Sequence, residues 1–310
     1  GTEGRGARMS GIAWKGGAKC AVMVTVNLDA EFFWLALSPD CINRPKTMSM
    51  GQYGMTRGLP RLLDLFDGFG IRATFFTPGR TAETYPDAMR EIVARGHEAA
   101  CHGYRHENFA LLSVEEQREA MKLGVAAIER VCGVRPRGFR APEGELTLDT
   151  LRIAREFGIT YSSDLSDDDR PYRLDLQNGD SILEIPIHWA LYDLPYFAFN
   201  YRPAFPKGQG RIAGYSRVLH NFLEEYRGYR ERGLCYVLQL DPQTIGTPGR
   251  KLCASSSVSC QQTSSCASGW SIRTSATKCS MAHRTMRAAG GTTSGPAISA
   301  IGRRRDPKTS

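Results

Sequence analysis

The stretch Ala21-Val-Met-Val-Thr-Val-Asn-Leu-Asp29 is a short, β-branched apolar run that ends in polar residues. An apolar run of this length is typical of a strand buried on both faces of a parallel sheet. Two further runs of this kind cover Ile71 to Thr77 and Leu234 to Leu240. Between them, Ser113-Val-Glu-Glu116 is a capping box that begins a helix, and Gly133 ends it. This alternation predicts an α/β fold with a parallel sheet, either open or closed into a barrel.

The segments between these strands follow the same alternation, with one exception. Residues 30–56 contain Pro39, Pro45 and two glycines, and they predict a long loop that caps a pocket or contacts another subunit of a homo-oligomer. The remaining predicted elements are helices over 58–67, 147–157 and 213–232, and strands over 159–162 and 182–187.

Residues 251–310 differ sharply in composition from the rest of the chain. They hold nine Lys and Arg side chains against one acid, whereas residues 1–250 hold 31 basic and 31 acidic side chains. The net charge of +8 therefore lies in this segment. Its Ser- and Arg-rich sequence has no sustained apolar period and cannot bury a core. We predict a low-complexity tail, either disordered or the product of a reading frame that shifted near Arg250.

The neutral body of the chain excludes several classes of partner. Balanced charge gives no electrostatic footprint for nucleic acid, so we expect no nucleic-acid partner. No run approaches the ~18 apolar residues of a membrane span, so we expect no membrane partner. Residues 1–19 lack the apolar stretch of a secretory signal. They predict a flexible N-terminal segment and a cytoplasmic protein.

Five polar residues follow the predicted strands: Asp29, His102, His106, Arg140 and Asp241. In parallel α/β folds, ligands gather at the carboxyl ends of the strands, so these side chains are expected to converge on one rim. The two histidines, four residues apart, can face one point, and with the Asp29 carboxylate they form a three-ligand metal site. Three ligands leave coordination positions open, which indicates catalysis rather than a structural role.

Four motifs follow in an order that is specific to one family: Asn27-Leu-Asp29-Ala-Glu31, His102-Gly-Tyr-Arg-His-Glu-Asn108, Arg140-Ala-Pro-Glu-Gly144 and Asp241-Pro242. Over residues 20–250 the chain resembles the polysaccharide deacetylases (NodB homology, carbohydrate esterase family 4-like). Within that family it is similar to the branch of peptidoglycan deacetylase-like, allantoinase-like and cyclic imide hydrolase proteins. The resemblance implies a distorted parallel (β/α) barrel as catalytic domain. It also implies a divalent metal, zinc first with Co²⁺, Mn²⁺ or Ni²⁺ as alternatives, held by Asp29, His102 and His106.

The chain departs from the family pattern at both positions that the resemblance assigns to proton transfer. The family's base is an Asp two residues before the metal ligand, oriented by an arginine, but here Asn27 occupies that position and Arg140 lacks its usual carboxylate. We expect Glu31, Glu143 or Asp241 to pair with Arg140. The family's acid is a histidine, here replaced by Asp241. An aspartate donates a proton at neutral pH only if burial or a like charge raises its pKa.

The resemblance also implies a substrate groove walled by Trp189, Tyr192 and Asp193. The expected function is metal-dependent hydrolysis of a non-peptide C–N (amide) bond in an N-acetylated sugar or a small cyclic amide or imide. The alternative is a weakened or inactive barrel that binds carbohydrate or metal, since Asn27 cannot accept the proton of an attacking water.

Overall fold

The predicted strands form a mostly parallel sheet in the computed structural model, which describes residues 13–198, 200–201, 204–205 and 212–249. The strands described are β1 (Ala21–Asn27), β2 (Thr74–Thr77), β3 (Glu98–Cys101), β4 (Gly138–Phe139), β5 (Tyr161–Ser162), β6 (Tyr172–Asp175), β7 (Ser181–Glu184), β8 (Asn200–Tyr201), β9 (Ala204–Phe205) and β10 (Cys235–Leu240). The short strands β8 and β9 pair only with each other.

The main sheet has eight strands in the order β10-β1-β2-β3-β4-β5-β7-β6. Every neighbouring pair is parallel except β6 with β7. The sheet curls so that its two ends approach each other. The Cys235 N–H donates to the carbonyl of Asp169, just before β6, and Tyr192 forms a parallel bridge with Gln239 of β10. The predicted distorted parallel (β/α) barrel is thus confirmed.

Helices cover the outside of the curled sheet. They are α1 (Phe32–Leu37), α2 (Pro45–Tyr53), α3 (Leu59–Gly68), α4 (Gly79–Thr84), α5 (Pro86–Ala94), α6 (Val114–Cys132), α7 (Leu148–Glu156), α8 (Leu194–Phe197), α9 (Tyr215–Arg232) and α10 (Pro242–Ile245). The capping box predicted at Ser113 and Glu116 is present, and Gly133 ends α6 with a left-handed φ of 68°. Among the described helices, none combines the length and hydropathy that crossing a bilayer requires.

The segment 30–56, predicted as a long loop, is helical instead. It contains α1, a 3-10 turn at Pro39–Asn43 and α2, and a π-helical turn at Gly54–Gly58 follows. Both prolines that suggested a loop lie in the first turn of a helix, where a missing N–H leaves no hydrogen bond unmade. The buried side chains of Phe33, Trp34 and Cys41 form a small separate core beneath these helices, and this burial stabilises them.

The described part of the N-terminal segment contacts the end of α9. Within the predicted flexible range 1–19, residues 13–19 are described and include a 3-10 turn at Lys15–Gly17. The Trp14 indole N–H donates to the Gly233 carbonyl at 2.8 Å, which ties this segment to the end of α9. The predicted tail over 251–310 lies outside the described residues.

One glycine allows α6 to approach the loop that follows β3. A Cβ built at Gly124 would lie 2.4 Å from the Gly103 carbonyl oxygen, far inside van der Waals contact. We therefore expect Gly124→Ala to lower the free energy of unfolding by about 1–3 kcal/mol, because backbone must move to admit the methyl group.

The matched control is Gly228→Ala in α9, where a Cβ would meet only the flexible end of Arg232 at 3.4 Å. That variant should gain up to about 1 kcal/mol from helix propensity. Urea unfolding measures both changes, and equal effects at the two positions would refute the close approach at Gly124.

Candidate metal centre

The carboxyl ends of β1 and β3, which lie on either side of β2, bring the three predicted metal ligands together. Asp29 lies two residues after β1, and its main-chain carbonyl accepts a hydrogen bond from the Thr81 hydroxyl at 3.1 Å. His102 directly follows β3, and its N–H extends the strand ladder by donating to the Thr77 carbonyl at 3.1 Å. His106 lies four residues further along the same loop. All three side chains are buried, and all three residues follow the carboxyl ends of strands.

The distances between the three side chains fit a metal ion. His102 Nε2 lies 3.5 Å from Asp29 Oδ1, and His106 Nε2 lies 3.4 Å from Asp29 Oδ2. One ligand atom from each residue lies within 4.8 Å of the others. Ligands about 2.1 Å from a tetrahedral zinc are about 3.4 Å apart, which these distances match. Asp29 Oδ1 is buried and has no hydrogen-bond partner among the described residues, as expected of an oxygen that serves a cation.

The protonation of His102 supports the same conclusion. Its Nδ1 lies 2.6 Å from the Arg140 carbonyl, which can only accept, so Nδ1 carries the hydrogen and Nε2 presents a lone pair. Burial lowers the pKa of His102 to about 4, so the ring is neutral at neutral pH. A lone pair facing the Asp29 carboxylate is repulsive unless a cation lies between them. A neutral imidazole is also the form that binds metals.

The loop that carries the second histidine to the site has an uncommon backbone conformation. Gly103 and His106 have left-handed φ values of 70° and 66°, and a non-glycine residue at positive φ is uncommon. The N–H groups of Gly79 and Arg80, at the start of α4, hold the loop by donating to its carbonyls at 3.0 and 2.8 Å. Burial by itself would lower the pKa of His106. The nearby Asp29 carboxylate outweighs this effect, so the pKa lies above its usual value. Such strain at a ligand is typical of a functional site.

Arg140 does not pair with any of the three carboxylates proposed from the sequence. Its guanidinium donates to Asn27 Oδ1 at 2.9 Å, to the Thr25 hydroxyl at 3.0 Å and to the carbonyl and hydroxyl of Ser163 at 3.0 and 2.8 Å. Neutral oxygens therefore take the place of the expected carboxylate. The three proposed partners are engaged elsewhere: Glu31 with Tyr85, Glu143 with Asn108 and Asp241 with Gln243.

Two acidic residues that were not predicted from the sequence, Asp164 and Glu184, interact electrostatically with this arginine. Asp164 Oδ1 accepts the Ala141 N–H at 2.6 Å. Glu184 accepts the N–H groups of Asp164 and Leu165 at 2.7 and 2.9 Å, and it also accepts the Ser162 hydroxyl. Asp164 follows β5, so the strand-end rule applied to Asp29 would have identified it, whereas Glu184 lies inside the strand predicted over 182–187 and ends β7 only in the structure. Burial lowers the pKa of Arg140 to about 10, and the Asp164 carboxylate opposes this shift.

The buried acid Asp164 is expected to make the stability of the protein depend on pH. Burial and the neighbouring Glu184 raise the pKa of Asp164 from 3.8 to about 8. The folded protein then keeps this proton up to about pH 8, whereas the unfolded chain releases it near pH 4. Stability therefore falls as the pH rises through this interval. Asp164→Asn removes the ionisable group but keeps the oxygen that accepts the Ala141 N–H.

Thermal melts at pH 5 and pH 8 test this effect. Between these values the wild-type Tm should fall at least about 5 °C more than that of Asp164→Asn, since each pKa unit corresponds to about 1.4 kcal/mol. The control Asp87→Asn changes an exposed aspartate and should follow the wild type. Parallel curves for wild type and Asp164→Asn would contradict the assignment.

Asp241 meets the condition that the sequence analysis set for a proton donor. It directly follows β10 and is almost fully buried. Burial, together with the carboxylates of Asp29 and Asp193, raises the pKa of Asp241 well above its usual value. Its two carboxylate oxygens accept the main-chain N–H and side-chain amide of Gln243, both at 2.9 Å, which fixes its orientation.

The three residues predicted to wall a groove have different positions. Trp189 is 70% exposed and stacks on His188 with ring centroids 4.1 Å apart, so its outer face is open. Tyr192 is half-buried, and its hydroxyl accepts a hydrogen bond from Asn27 Nδ2 at 3.3 Å. Asp193 is 0% exposed and accepts the Asp241 N–H at 2.8 Å and the Thr244 hydroxyl. Asp193 therefore holds Asp241 from the interior of the protein. Because its two carboxylate oxygens accept these hydrogen bonds and its side chain is not exposed, Asp193 is not part of a groove wall.

Comparisons with known sequences all indicate the same family. The sequence profile of polysaccharide deacetylases matches residues 49–162. A peptidoglycan deacetylase from Helicobacter pylori is 31% identical over 199 residues, which cover 56% of this chain and 67% of that protein. A peptidoglycan deacetylase-like protein from Gibberella zeae is 29% identical, over 57% of this chain and 60% of that protein. The chain thus spans about two thirds or less of the length of these relatives.

Comparison with solved structures extends the similarity over nearly the whole chain. A candidate polysaccharide deacetylase from Mycobacterium smegmatis superposes with a TM-score of 0.82 and 32% identity, covering 93% of this chain and 98% of that one. An allantoinase superposes with a TM-score of 0.70 over 84% of this chain and 89% of that one, but at 23% identity it shows a shared fold alone. The chain belongs to the polysaccharide deacetylase family.

Proposed function

We propose that this protein is a divalent-metal hydrolase that removes the acetyl group from an N-acetylated sugar by cleaving its amide C–N bond. The observation that carries the proposal is the convergence of Asp29, His102 and His106 at the carboxyl ends of the strands. The names of the relatives, which are peptidoglycan and chitooligosaccharide deacetylases, support the reaction class. The cytoplasmic location stays a prediction.

The residues present suit zinc, with Co²⁺, Mn²⁺ or Ni²⁺ as alternatives, because one carboxylate and two imidazoles form a mixed oxygen and nitrogen set. When bound, such a metal polarises the scissile carbonyl and lowers the pKa of a coordinated water. Burial and the carboxylates of Asp29 and Asp193 raise the pKa of Asp241, which suits this residue to pass a proton to the departing nitrogen. The Asp193 carboxylate accepts the main-chain N–H of Asp241 and so fixes the position of its main chain.

Two observations favour a glycan over the cyclic amide or imide that the sequence left open. Several relatives are named as deacetylases of glycans, namely of peptidoglycan, peptidoglycan N-acetylglucosamine and chitooligosaccharides. Trp189 offers an exposed aromatic face, and such a face suits the apolar side of a sugar ring. The similarity to an allantoinase shows only the fold, so no described contact favours a small ring as substrate.

Asn27 supports a second candidate function. A carboxamide cannot take a proton from water, so a barrel that holds metal and carbohydrate but turns over slowly is also consistent with this residue. Loss of a general base typically costs a factor of about 10²–10⁴ in rate.

Metal analysis combined with acetate release separates the two candidates. The purified protein is stripped with a chelator, reloaded with Zn²⁺, and assayed on chitooligosaccharides, peptidoglycan fragments and a cyclic imide, with fully deacetylated chitooligosaccharides as the matched control. The proposed function requires one metal per chain and zinc-dependent acetate release. Metal and glycan bound without acetate release would favour the second candidate, and a protein that binds no metal would overturn both.

A further inference from the structure

The orientation of the Asn27 side chain is fixed by its neighbour. A guanidinium only donates hydrogen bonds, so the Asn27 atom that lies 2.9 Å from Arg140 Nη1 must be the carbonyl oxygen. The amide nitrogen therefore points the other way, and it donates to the Tyr192 hydroxyl at 3.3 Å. At the position where the family resemblance implies a proton acceptor, this chain thus presents a hydrogen-bond donor.

The Tyr192 hydroxyl receives a hydrogen bond from Asn27 and keeps its own hydrogen to donate. In the part of the chain that the structure describes, no residue accepts that hydrogen. Burial and the carboxylates of Asp241 and Asp29 raise the pKa of Tyr192 well above its usual value, so the hydroxyl stays protonated. The hydroxyl is bonded to Asn27, which lies only two residues before Asp29 in the chain, and this contact keeps it near the candidate metal centre.

The main chain around Tyr192 is held firmly to the sheet. Tyr192 forms a parallel bridge with Gln239 of β10, and the next N–H, of Asp193, donates to the Gln239 carbonyl at 3.2 Å. The Gln239 side chain in turn donates to the His188 carbonyl at 3.3 Å. A hydroxyl on such a support is pre-organised, which is the requirement for stabilising charge that develops in a transition state.

We propose that the Tyr192 hydroxyl donates a hydrogen bond to the acyl oxygen of the substrate, with Arg140 and Asn27 as positioning residues that orient it. This inference rests on the proposed amide hydrolysis. The guanidinium charge polarises the Asn27 amide, and the amide polarises the hydroxyl, so each bond in the series strengthens the next. The series ends on the oxygen that becomes negative when the carbonyl is attacked.

The direct test removes the hydroxyl alone, in Tyr192→Phe, and uses acetate as a probe because its oxygens stand for the acyl oxygen. In the zinc-loaded protein we expect acetate to bind about tenfold more weakly, with metal content unchanged. Turnover of a chitooligosaccharide should fall about 10²-fold in kcat with little change in KM, because the bond strengthens only as charge develops.

Tyr196→Phe is the matched control. It also deletes one partly buried tyrosine hydroxyl with a single described hydrogen bond, to the Ala190 carbonyl at 3.2 Å. Acetate affinity and kcat should remain those of the wild type. Equal effects of the two substitutions, or unchanged acetate affinity and kcat in Tyr192→Phe, would overturn the proposal.

A polarity reversal at Asn27 provides an independent test. In Asn27→Asp, the carboxylate accepts from Arg140 and also from Tyr192, so the hydroxyl hydrogen turns away from the acyl oxygen. Acetate should then bind about as weakly as in Tyr192→Phe, and Tyr192→Phe added to Asn27→Asp should have no further effect on acetate affinity. Additive losses would contradict the role of Asn27. Only binding is compared in this variant, since a new carboxylate also supplies a base.

The two proposals can fail separately. Tyr192-dependent acetate binding without turnover of any N-acetylated glycan would overturn the proposed function and support the inference. Zinc-dependent acetate release that is equal in wild type and Tyr192→Phe would support the function and overturn the inference.

Discussion

Replacing His102 with alanine is expected to abolish metal binding and reduce hydrolysis to the background rate. Two ligands remain in this variant, and the lost imidazole faces Asp29 Oδ1, an oxygen without a hydrogen-bond partner among the described residues. Metal content should fall from about one per chain to near zero at micromolar zinc. Acetate release should fall by more than about 10³-fold, because both carbonyl polarisation and water activation depend on the ion.

His220→Ala makes the same chemical change on the surface of α9, where the side chain is 71% exposed. It should leave both metal content and turnover at wild-type values. A thermal melt of His102→Ala separates loss of the ligand from loss of the fold, and His102→Gln offers a milder change that can still donate to the Arg140 carbonyl. A folded His102→Ala protein with full metal content would exclude the proposed centre.

The largest effect on stability is expected from Arg140→Ala. The guanidinium is buried, makes four hydrogen bonds and lies 4.2 Å above the Phe76 ring. Removing it leaves Asn27 and Ser163 without their donor and removes the positive charge beside Asp164. Breaking a buried network of this kind costs about 3–5 kcal/mol, and loss of the ring contact adds to it.

Arg118→Ala is the matched control, because it deletes an exposed guanidinium that is bonded to Glu156 at 3.0 Å. Ion pairs in water contribute little, so its urea midpoint should be nearly that of the wild type. Arg140→Lys should be intermediate, since an ammonium keeps the charge but cannot reproduce the forked donors. If Arg140→Ala unfolded at the same urea concentration as Arg118→Ala, the interior network would not hold the site together.

The sequence by itself indicated a parallel α/β fold, the order of its main elements and three candidate metal ligands, and the family resemblance implied the barrel. Local periodicity fixes strands and helices, and parallel strands place whatever follows them at one edge of the sheet. Asp29 and His102 were found for that reason, and His106 because it is four residues from His102. The capping box at Ser113 could also be predicted from the sequence, because the residues that form it are close in the chain.

Only the tertiary structure decided what the side chains around those ligands do. The bond from Arg140 to Asn27 spans 113 positions, and that from Asn27 to Tyr192 spans 165. No local pattern encodes contacts between such distant segments, so the sequence predicted carboxylate partners that Arg140 does not have. The same holds for the helices over 30–56, which depend on a small core around Trp34. The direction of a buried hydrogen bond follows from the full set of donors and acceptors packed around it, and folding alone brings that set together.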